Sequence, residues 1–356
     1  MHSISIDTVA ASNLPNVDLE NLPFGRVFTD HMFTADYING EWTNKQIGPV
    51  VDFCIHPGNL TLHYAQSIFE GMKASADENG NPLLLRPNMH IERLNRSARR
   101  MCMPEVPEDL FHQALETLVK LEKDWIPSKE GSALYIRPFM FATDEFIGVA
   151  ASETYKLVIL TLPVGPYYSQ PVNLKAETEY VRAAPGGVGD AKTAGNYAAS
   201  IFPAKKAKSE GYDQILWLDG KEFKYVQEVG TMNIFFVIGD TVLTPAFNGA
   251  ILHGITRDSI IHILKDEGYK VEERDISIDE IIAAHQQGEL KEVFGTGTAA
   301  VVSTVKNIGY KGKDYPIDVD SFKIAPFAKD YISKLRRGQM EDTRGWVVRL
   351  EEPVIA

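Results

Sequence analysis

The chain has 356 residues, of which 44% are hydrophobic and 24% are charged, a composition that is ordinary for a globular protein and excludes disorder of the bulk. This length exceeds what one compact core usually holds, so we expect about two domains. The formal net charge of −12 disfavours binding to nucleic acid or to an anionic membrane. Cys54 and Cys102 are too few for a disulfide framework or a cysteine-rich metal site, so we expect no metal and two buried thiols.

The first twenty residues contain acidic side chains, no lysine or arginine, and no long apolar run. Such a start predicts neither a secretory signal nor an arginine-rich transit peptide. No later window approaches the roughly 18 apolar residues of a membrane span. We therefore expect a cytoplasmic protein without a membrane partner.

The first half of the chain begins with a predicted arm over residues 1–20, where asparagine, aspartate and proline interrupt any period. Asn39-Gly40 between alternating apolar residues predicts a β-hairpin. Apolar spacing predicts helices over 88–101 and after Pro107, and strands over 133–139 and 155–162. We expect residues 21–163 to form a small α/β domain.

Three prolines and a glycine within 163–171 are typical of a connector, which we place at 164–172. The rest of the chain, 173–356, mixes strands with helices and is predicted to be a larger α+β domain. Its predicted strands cover 214–218, 233–237, 241–243, 291–294 and 300–305, and its predicted helices cover 256–266, 278–287 and 322–337.

Four glycines surround Lys192 in the stretch 185–197, which we call the glycine loop. Gly186, Lys192 and Thr193 match parts of a phosphate-binding P-loop, but Ala191 replaces the glycine that should precede the lysine. A second interpretation is a nucleophilic lysine that forms a Schiff base. A third is a flexible surface turn with a solvated lysine, and the loop alone leaves all three open.

The segment 227–233 places Glu228 and a glycine turn just before an apolar strand. Together with the glycine loop, it resembles the branched-chain aminotransferases, which are pyridoxal-phosphate enzymes of fold type IV. Its sequence motifs are most similar to those of the branch of this family that includes the animal enzymes. The resemblance runs from about residue 24 to residue 346 through further blocks at 24–32, 62–73, 85–87, 134–138, 254–257 and 294–299.

The resemblance implies a two-domain α+β fold and pyridoxal 5′-phosphate as cofactor. Lys192 would carry the cofactor and move the substrate proton. Glu228 would pair with the ring nitrogen, and Tyr197 with the phenolic oxygen. The phosphate would be bound by a group of donors at three places in the chain, namely Arg86, Ile255 with Thr256, and Thr298.

On the substrate side, the resemblance implies an apolar pocket whose walls are aromatic. Arg137 would meet the second carboxylate of glutamate, with Tyr64 and Tyr135 hydrogen-bonded to it when leucine is bound. Thr231 and the backbone at Ala299 would hold the α-carboxylate. The matching aromatic positions are Phe24, Tyr64, Phe69 and Tyr135.

The implied activity is transfer of an amino group between leucine, isoleucine or valine and 2-oxoglutarate by a ping-pong mechanism, in a homodimer. A D-amino-acid transaminase or an aminodeoxychorismate lyase would share Lys192 and Glu228. A P-loop phosphotransferase is the alternative from another class of protein. Ala300 and Ser303 occupy the positions of a cysteine pair in the animal branch, so we expect no thiol switch.

Overall fold

The computed structural model describes residues 2–167 and 170–351. Contacts divide the chain into two compact units. The first unit holds the chain up to Tyr167, the segment Ala191–Ala194, and the chain from Ser333 onward, and the second unit holds the rest. The sequence predicts two continuous domains at 21–163 and 173–356, whereas neither unit is continuous. Residues 168 and 169 of the predicted connector lie outside the described residues.

The first unit contains a nine-stranded, mainly antiparallel sheet in the order β1-β3-β2-β8-β7-β5-β6-β18, with β4 paired to β7. Its strands are β1 Ser5–Ile6, β2 His31–Ile38, β3 Glu41–Pro49, β4 Ser67–Phe69, β5 Met72–Ala76, β6 Pro82–Leu85, β7 Ala133–Ala142, β8 Tyr155–Val164 and β18 Val347–Arg349. The predicted hairpin is confirmed, because Asn39 and Gly40 both have positive φ and join β2 to β3.

Helices cover one face of this sheet and form the main core with it. The helices that come before Tyr167 are α1 Leu60–Tyr64, α2 Pro87–Arg100 and α3 Glu108–Leu121. In α3, Leu110, Ala114 and Leu118 are fully buried, as their helical spacing predicts. Burial of one apolar stripe therefore fixes which face of this helix meets the strands.

The N-terminal segment is more ordered than an arm. Ser5–Ile6 pairs in parallel with Gln46 and Ile47 of β3. A 3-10 turn follows at Leu14–Asn16, and Leu14 packs against the core. The backbone N–H of Val9 donates to Nε2 of His31 at 3.0 Å. Contacts distant in sequence thus hold a segment whose own pattern predicts no structure.

The second unit contains another nine-stranded sheet, in the order β11-β10-β9-β16-β15-β12-β13-β14, with β17 paired to β16. Its strands are β9 Val172–Ala176, β10 Gln214–Leu218, β11 Val226–Val229, β12 Asn233–Ile238, β13 Thr241–Thr244, β14 Lys270–Glu273, β15 Leu290–Gly297, β16 Val301–Tyr310 and β17 Lys313–Pro316. Its sequence also contains α5 Ile201–Ser209, α6 Ile255–Asp266, α7 Ile278–Gln286 and most of α4 Ala194–Ala198 and α8 Ile324–Arg336.

Parallel and antiparallel strand pairs occur together with helices in the second unit, so the predicted α+β class is confirmed. The expectation of two buried thiols is wrong, because Cys54 and Cys102 are both exposed. Cys54 lies in the irregular segment after β3, and Cys102 directly follows α2 with a positive φ. In the described ranges, none of the helices has both the length and the hydropathy to cross a bilayer.

Candidate active site

Lys192 is held by its backbone within the first unit. Its N–H donates to Oγ of Ser97 on α2 at 2.9 Å, and its carbonyl accepts from the N–H of Phe69 at 3.0 Å. The neighbouring Thr193 is buried and donates from Oγ1 to the carbonyl of Ser67 at 2.7 Å. The interpretation as a flexible surface turn is therefore wrong, because the lysine is anchored to both a helix and a strand.

The ring of Phe69 lies against two cationic side chains. Nζ of Lys192 is 4.8 Å from the ring centroid, and Cζ of Arg137 is 4.7 Å from it. Both distances are in the range of cation–π attraction. The structure thus brings Lys192, Phe69 and Arg137 together.

Arg137 is half-buried in aromatic surroundings. Its Nη2 donates to the hydroxyl of Tyr135 at 2.9 Å, and its Cζ is 5.3 Å from that ring. Phe24 meets the ring of Tyr135 edge-on, with centroids 5.3 Å apart. Among residues 2–167 and 170–351, Nε of Arg137 is buried and has no hydrogen-bond acceptor. A cation in this state is suited to bind a carboxylate of a ligand.

A buried ionic cluster joins Glu70, the residue after β4, to two side chains of α2 and was not found from the sequence. Glu70 is fully buried and accepts from Arg93 at 2.7 Å and from Nδ1 of His90 at 2.7 Å. Burial acts to raise the pKa of Glu70. The charges of Arg93 and His90 and their hydrogen bonds to the carboxylate outweigh this effect and hold the pKa well below its usual range. Burial lowers the pKa of His90, with the charges of Arg93 and Lys192 acting in the same direction.

Arg86 precedes α2 with a φ of 51°, a left-handed conformation that is strained for an arginine. Its N–H donates to the carbonyl of Trp346 at 2.6 Å, and its Cζ lies 4.4 Å from a ring centroid of the same tryptophan. The C-terminal part of the chain therefore fixes this arginine.

The structure does not bring Tyr64 to Arg137. Tyr64 is the last residue of α1, which buries only its first residue, Leu60. The tyrosine side chain is 38% exposed, and its ring lies 6.1 Å from that of His63. The expected hydrogen bond from Tyr64 to Arg137 is absent among the described residues, and the role of Tyr64 in substrate binding stays a prediction.

Glu228 belongs to the second unit and is 4% exposed on β11. Its Oε1 accepts from the N–H of Leu252 at 2.6 Å, and its Oε2 is 3.3 Å from Nε of Arg182. Arg182 also donates to the carbonyl of Gly189 in the glycine loop at 3.2 Å. Arg182 was not predicted from the sequence, although an arginine shortly before the glycine loop was visible there.

The side chain of Asn233 lies against the backbone at the beginning of α6. Gly254 precedes the helix, and a Cβ at this position would lie 1.8 Å from Oδ1 of Asn233. Nδ2 of Asn233 donates to the carbonyl of Leu252 at 2.9 Å. No side chain of the described residues caps the helix, so the N–H groups at Ile255 and Thr256 face an environment suited to an anion.

The remaining predicted residues also lie in the second unit. Tyr197 is half-buried on α4, and Thr231 is exposed in the turn before β12. Thr298 and Ala299 are half-buried in the turn between β15 and β16. Their roles stay predictions.

Comparisons with known proteins identify the family. The model of the class IV amino-transferases matches residues 67–308. Branched-chain-amino-acid aminotransferase 2 of Bacillus subtilis is 46% identical over 347 residues, which cover 96% of each chain. Branched-chain-amino-acid transaminase 1 of the same organism is 48% identical over 341 residues, covering 94% of this chain and 95% of that one. The chain belongs to the branched-chain amino acid aminotransferases.

A solved relative supports the fold of this aminotransferase. The branched-chain amino acid aminotransferase of T.th., complexed with N-(5'-phosphopyridoxyl)-L-glutamate, matches with a TM-score of 0.72 at 25% identity and covers 89% of this chain and 98% of that one. The predicted fold type IV architecture is confirmed. The P-loop alternative is not favoured, because the N–H of Lys192 already donates to Ser97. The two Bacillus relatives are bacterial, and the expected likeness to the animal branch stays a prediction.

Proposed function

We propose that this aminotransferase transfers the amino group between leucine, isoleucine or valine and 2-oxoglutarate, with pyridoxal 5′-phosphate as cofactor and one half-reaction for each amino acid. One observation carries the proposal: an amine and a guanidinium lie against the same aromatic ring. Nζ of Lys192 is 4.8 Å and Cζ of Arg137 is 4.7 Å from the ring centroid of Phe69. An amine for the chemistry and a cation for a second carboxylate are the two groups that this pair of substrates requires. Relatives named for branched-chain amino acids support the choice of substrate.

The chain contains residues whose chemistry fits the proposed cofactor. The amine of Lys192 suits the aldehyde, and Arg86 suits the phosphate. The uncapped beginning of α6 also suits the phosphate, and the buried carboxylate of Glu228 suits a protonated ring nitrogen. When bound, pyridoxal phosphate supplies an electron sink for the electron pair of the substrate Cα–H bond. The complex of a relative with a phosphopyridoxyl amino acid supports the same cofactor.

The residues of the chain then have separate tasks. Nζ of Lys192 would take the proton from the substrate Cα as a general base and deliver it, as a general acid, to the former aldehyde carbon of the cofactor. Its anchored backbone limits where Nζ can reach, since Ser97 and Phe69 hold the N–H and the carbonyl. Glu228 would keep a proton at the ring nitrogen of the bound cofactor, and its own position is fixed by Leu252 and Arg182. Tyr197 would stabilise the phenolic oxygen, and Thr231 with Ala299 would hold the α-carboxylate.

Arg137 would allow one pocket to accept both glutamate and leucine. With glutamate bound, the guanidinium pairs with the second carboxylate. With leucine bound, the hydroxyl of Tyr135 and the ring of Phe69 remain as its partners, which limits the cost of a half-buried charge. Phe24 and Tyr135 provide apolar contact for the leucine side chain.

The test is Arg137→Met, which keeps much of the side-chain volume and removes the charge. We expect the half-reaction with glutamate to lose at least ~10²-fold in kcat/KM, on the scale of breaking a buried charge pair, and the half-reaction with leucine to lose much less. Single-turnover changes in the cofactor absorbance measure each half-reaction by itself.

Two controls accompany this variant. Lys192→Ala should still take up pyridoxal phosphate but carry out neither half-reaction. Arg99→Met removes an exposed arginine from α2, and both half-reactions should stay unchanged. Equal losses for glutamate and leucine in Arg137→Met would contradict the proposed role of Arg137.

We further propose that the enzyme acts as a cytoplasmic homodimer. Apolar side chains exposed in the loop between β7 and β8 support an interface between subunits, since such side chains are usually covered in an assembly. They are Phe146 at 43%, Ile147 at 73% and Val149 at 89% exposure.

A further inference from the structure

We infer that Gly71 determines the specificity for dicarboxylate substrates, because the absence of its side chain lets the hydroxyl of Tyr135 reach Arg137. The inference rests on the proposed function, in which Arg137 binds the second carboxylate of glutamate. Gly71 is a positioning residue in this account, since it acts through Tyr135.

The register of the sheet places Gly71 beside these two side chains. In the pairing of β5 with β7, Lys73 lies opposite Tyr135, and Met72 lies opposite Ile136. Side chains alternate between the two faces of a strand. Gly71, two residues before Lys73, therefore faces the same side of the sheet as Tyr135 and Arg137.

The phenol of Tyr135 occupies the space that a side chain at residue 71 would need. A Cβ on Gly71 would lie 2.1 Å from the hydroxyl oxygen of Tyr135 and 3.0 Å from Cζ. The first distance is far below any van der Waals contact, so an alanine would displace the hydroxyl. Gly71 has no positive φ, and the steric contact alone therefore explains the glycine.

The ring of Tyr135 has little room to move away. Tyr135 is 6% exposed and packs against Leu162 and Val164. Phe24 covers it edge-on, with centroids 5.3 Å apart. A displaced ring would lose the 2.9 Å hydrogen bond from Nη2 of Arg137, which fixes the direction of the guanidinium.

The consequence differs between the two substrates. A second carboxylate needs two donors of the guanidinium fork in a fixed direction, and a misdirected fork loses charge-assisted hydrogen bonds. A branched apolar side chain needs only the volume beside the rings. Enlarging residue 71 should therefore weaken the binding of dicarboxylates more than that of branched monocarboxylates.

The experiment is a double-mutant cycle on the holoenzyme with Gly71→Ala, Tyr135→Phe and both changes together. The probes are two unreactive ligands, glutarate and 4-methylpentanoate, whose Kd values are measured by calorimetry. We expect Gly71→Ala to weaken glutarate roughly 10-fold and 4-methylpentanoate much less, as for loss of a hydrogen bond to a charged group. Gly48→Ala is the matched control, because a Cβ there meets nothing within 4 Å.

The double-mutant cycle tests whether Gly71 acts on Arg137 through the hydroxyl of Tyr135. In the Tyr135→Phe background, the nearest ring atom would be Cζ at 3.0 Å, so adding Gly71→Ala should change the glutarate Kd little. If Gly71→Ala alone does not fold, folding of the double variant would still support the inference. Failure of both to fold, full additivity, or equal weakening of the two ligands would overturn it. Unchanged glutarate binding in Arg137→Met would instead contradict the proposed function, independently of Gly71.

Discussion

At the scale of single residues, the most consequential side chains are charged groups that the protein removes from water. Glu70 is fully buried, and its carboxylate is neutralised by Arg93 and hydrogen-bonded to His90. The same α2 helix carries Ser97, which binds the backbone of Lys192. The ionic cluster therefore stabilises the helix from which the lysine is positioned.

Removing the charge of Glu70 should destabilise the protein. Glu70→Gln removes the carboxylate that Arg93 pairs with in the protein interior, and breaking such a buried pair costs about 3–5 kcal/mol of unfolding free energy. Urea unfolding at pH 7 measures the loss. Glu92→Gln is the control, since Glu92 is exposed on the same helix.

The difference should depend on pH in a defined direction. The pKa of Glu70 is lower in the folded protein than its ordinary value of 4.5, so its stabilising effect is complete above that pH. As the pH falls below about 4.5, the unfolded chain binds a proton that the folded protein does not, and the stabilisation declines. The gap between wild type and Glu70→Gln should therefore narrow from pH 7 to about pH 3.5, and a constant gap would contradict this assignment.

Sequence alone identified some of these residues and could not identify others. Lys192 and Glu228 stand out because glycines and a strand boundary mark them, and the family resemblance gives them roles. No local sequence feature distinguishes Glu70 and Arg93, because a buried charged residue looks the same in the sequence as an exposed one. Their burial depends on pairing across 23 positions, which only the fold brings about.

At the scale of elements, long periodic segments were predicted well and short ones were not. Helix α2 was predicted over 88–101 and extends over Pro87–Arg100. In contrast, α1, β1 and β18 have five residues or fewer, which is too short for a hydrophobic period to register. Such elements form because neighbouring strands and helices offer them partners.

The beginning of α6 carries a prediction of its own. Gly254→Ala places a Cβ 1.8 Å from Oδ1 of Asn233, so either the asparagine or the first helical turn must shift. Because the proposed phosphate site uses the N–H groups of that turn, we expect the affinity of the apoprotein for pyridoxal phosphate to fall roughly 10-fold. The affinity for pyridoxal, which lacks the phosphate, should change much less.

Fluorescence titration of the apoprotein with each compound distinguishes the two effects. Gly48→Ala serves again as the control for a glycine with open space around it. Equal losses for the two compounds would show that the shift reaches beyond the phosphate site and would refute the role given to this turn.

At the scale of the whole molecule, the chain is less modular than its sequence predicts. The segment Ala191–Ala194 belongs to the first unit although the residues before and after it belong to the second. The chain from Ser333 also returns to the first unit, where β18 pairs with β6. Local composition does not predict that either segment belongs to the first unit, because each assignment depends on contacts between residues far apart in the sequence.

The C-terminal segment places Trp346 in contact with Arg86, and the last prediction concerns this contact. The carbonyl of Trp346 holds the strained backbone of Arg86, and its ring holds the guanidinium at 4.4 Å. Trp346→Ala keeps the carbonyl and removes the ring, so Arg86 should lose its fixed direction toward the proposed phosphate.

We expect Trp346→Ala to release pyridoxal phosphate about 10-fold faster than wild type, in keeping with the loss of one desolvated cation–π contact. Trp346→Phe keeps an aromatic face and should lie between the two. The rate is measured by transfer of the cofactor from the holoenzyme to an excess of a second pyridoxal-phosphate apoenzyme. Trp42→Ala, which removes a tryptophan that bonds to Glu105 instead, should release the cofactor at the wild-type rate. If Trp346→Phe released it as fast as Trp346→Ala, the aromatic face would not be what holds Arg86, because both variants keep the same backbone hydrogen bond.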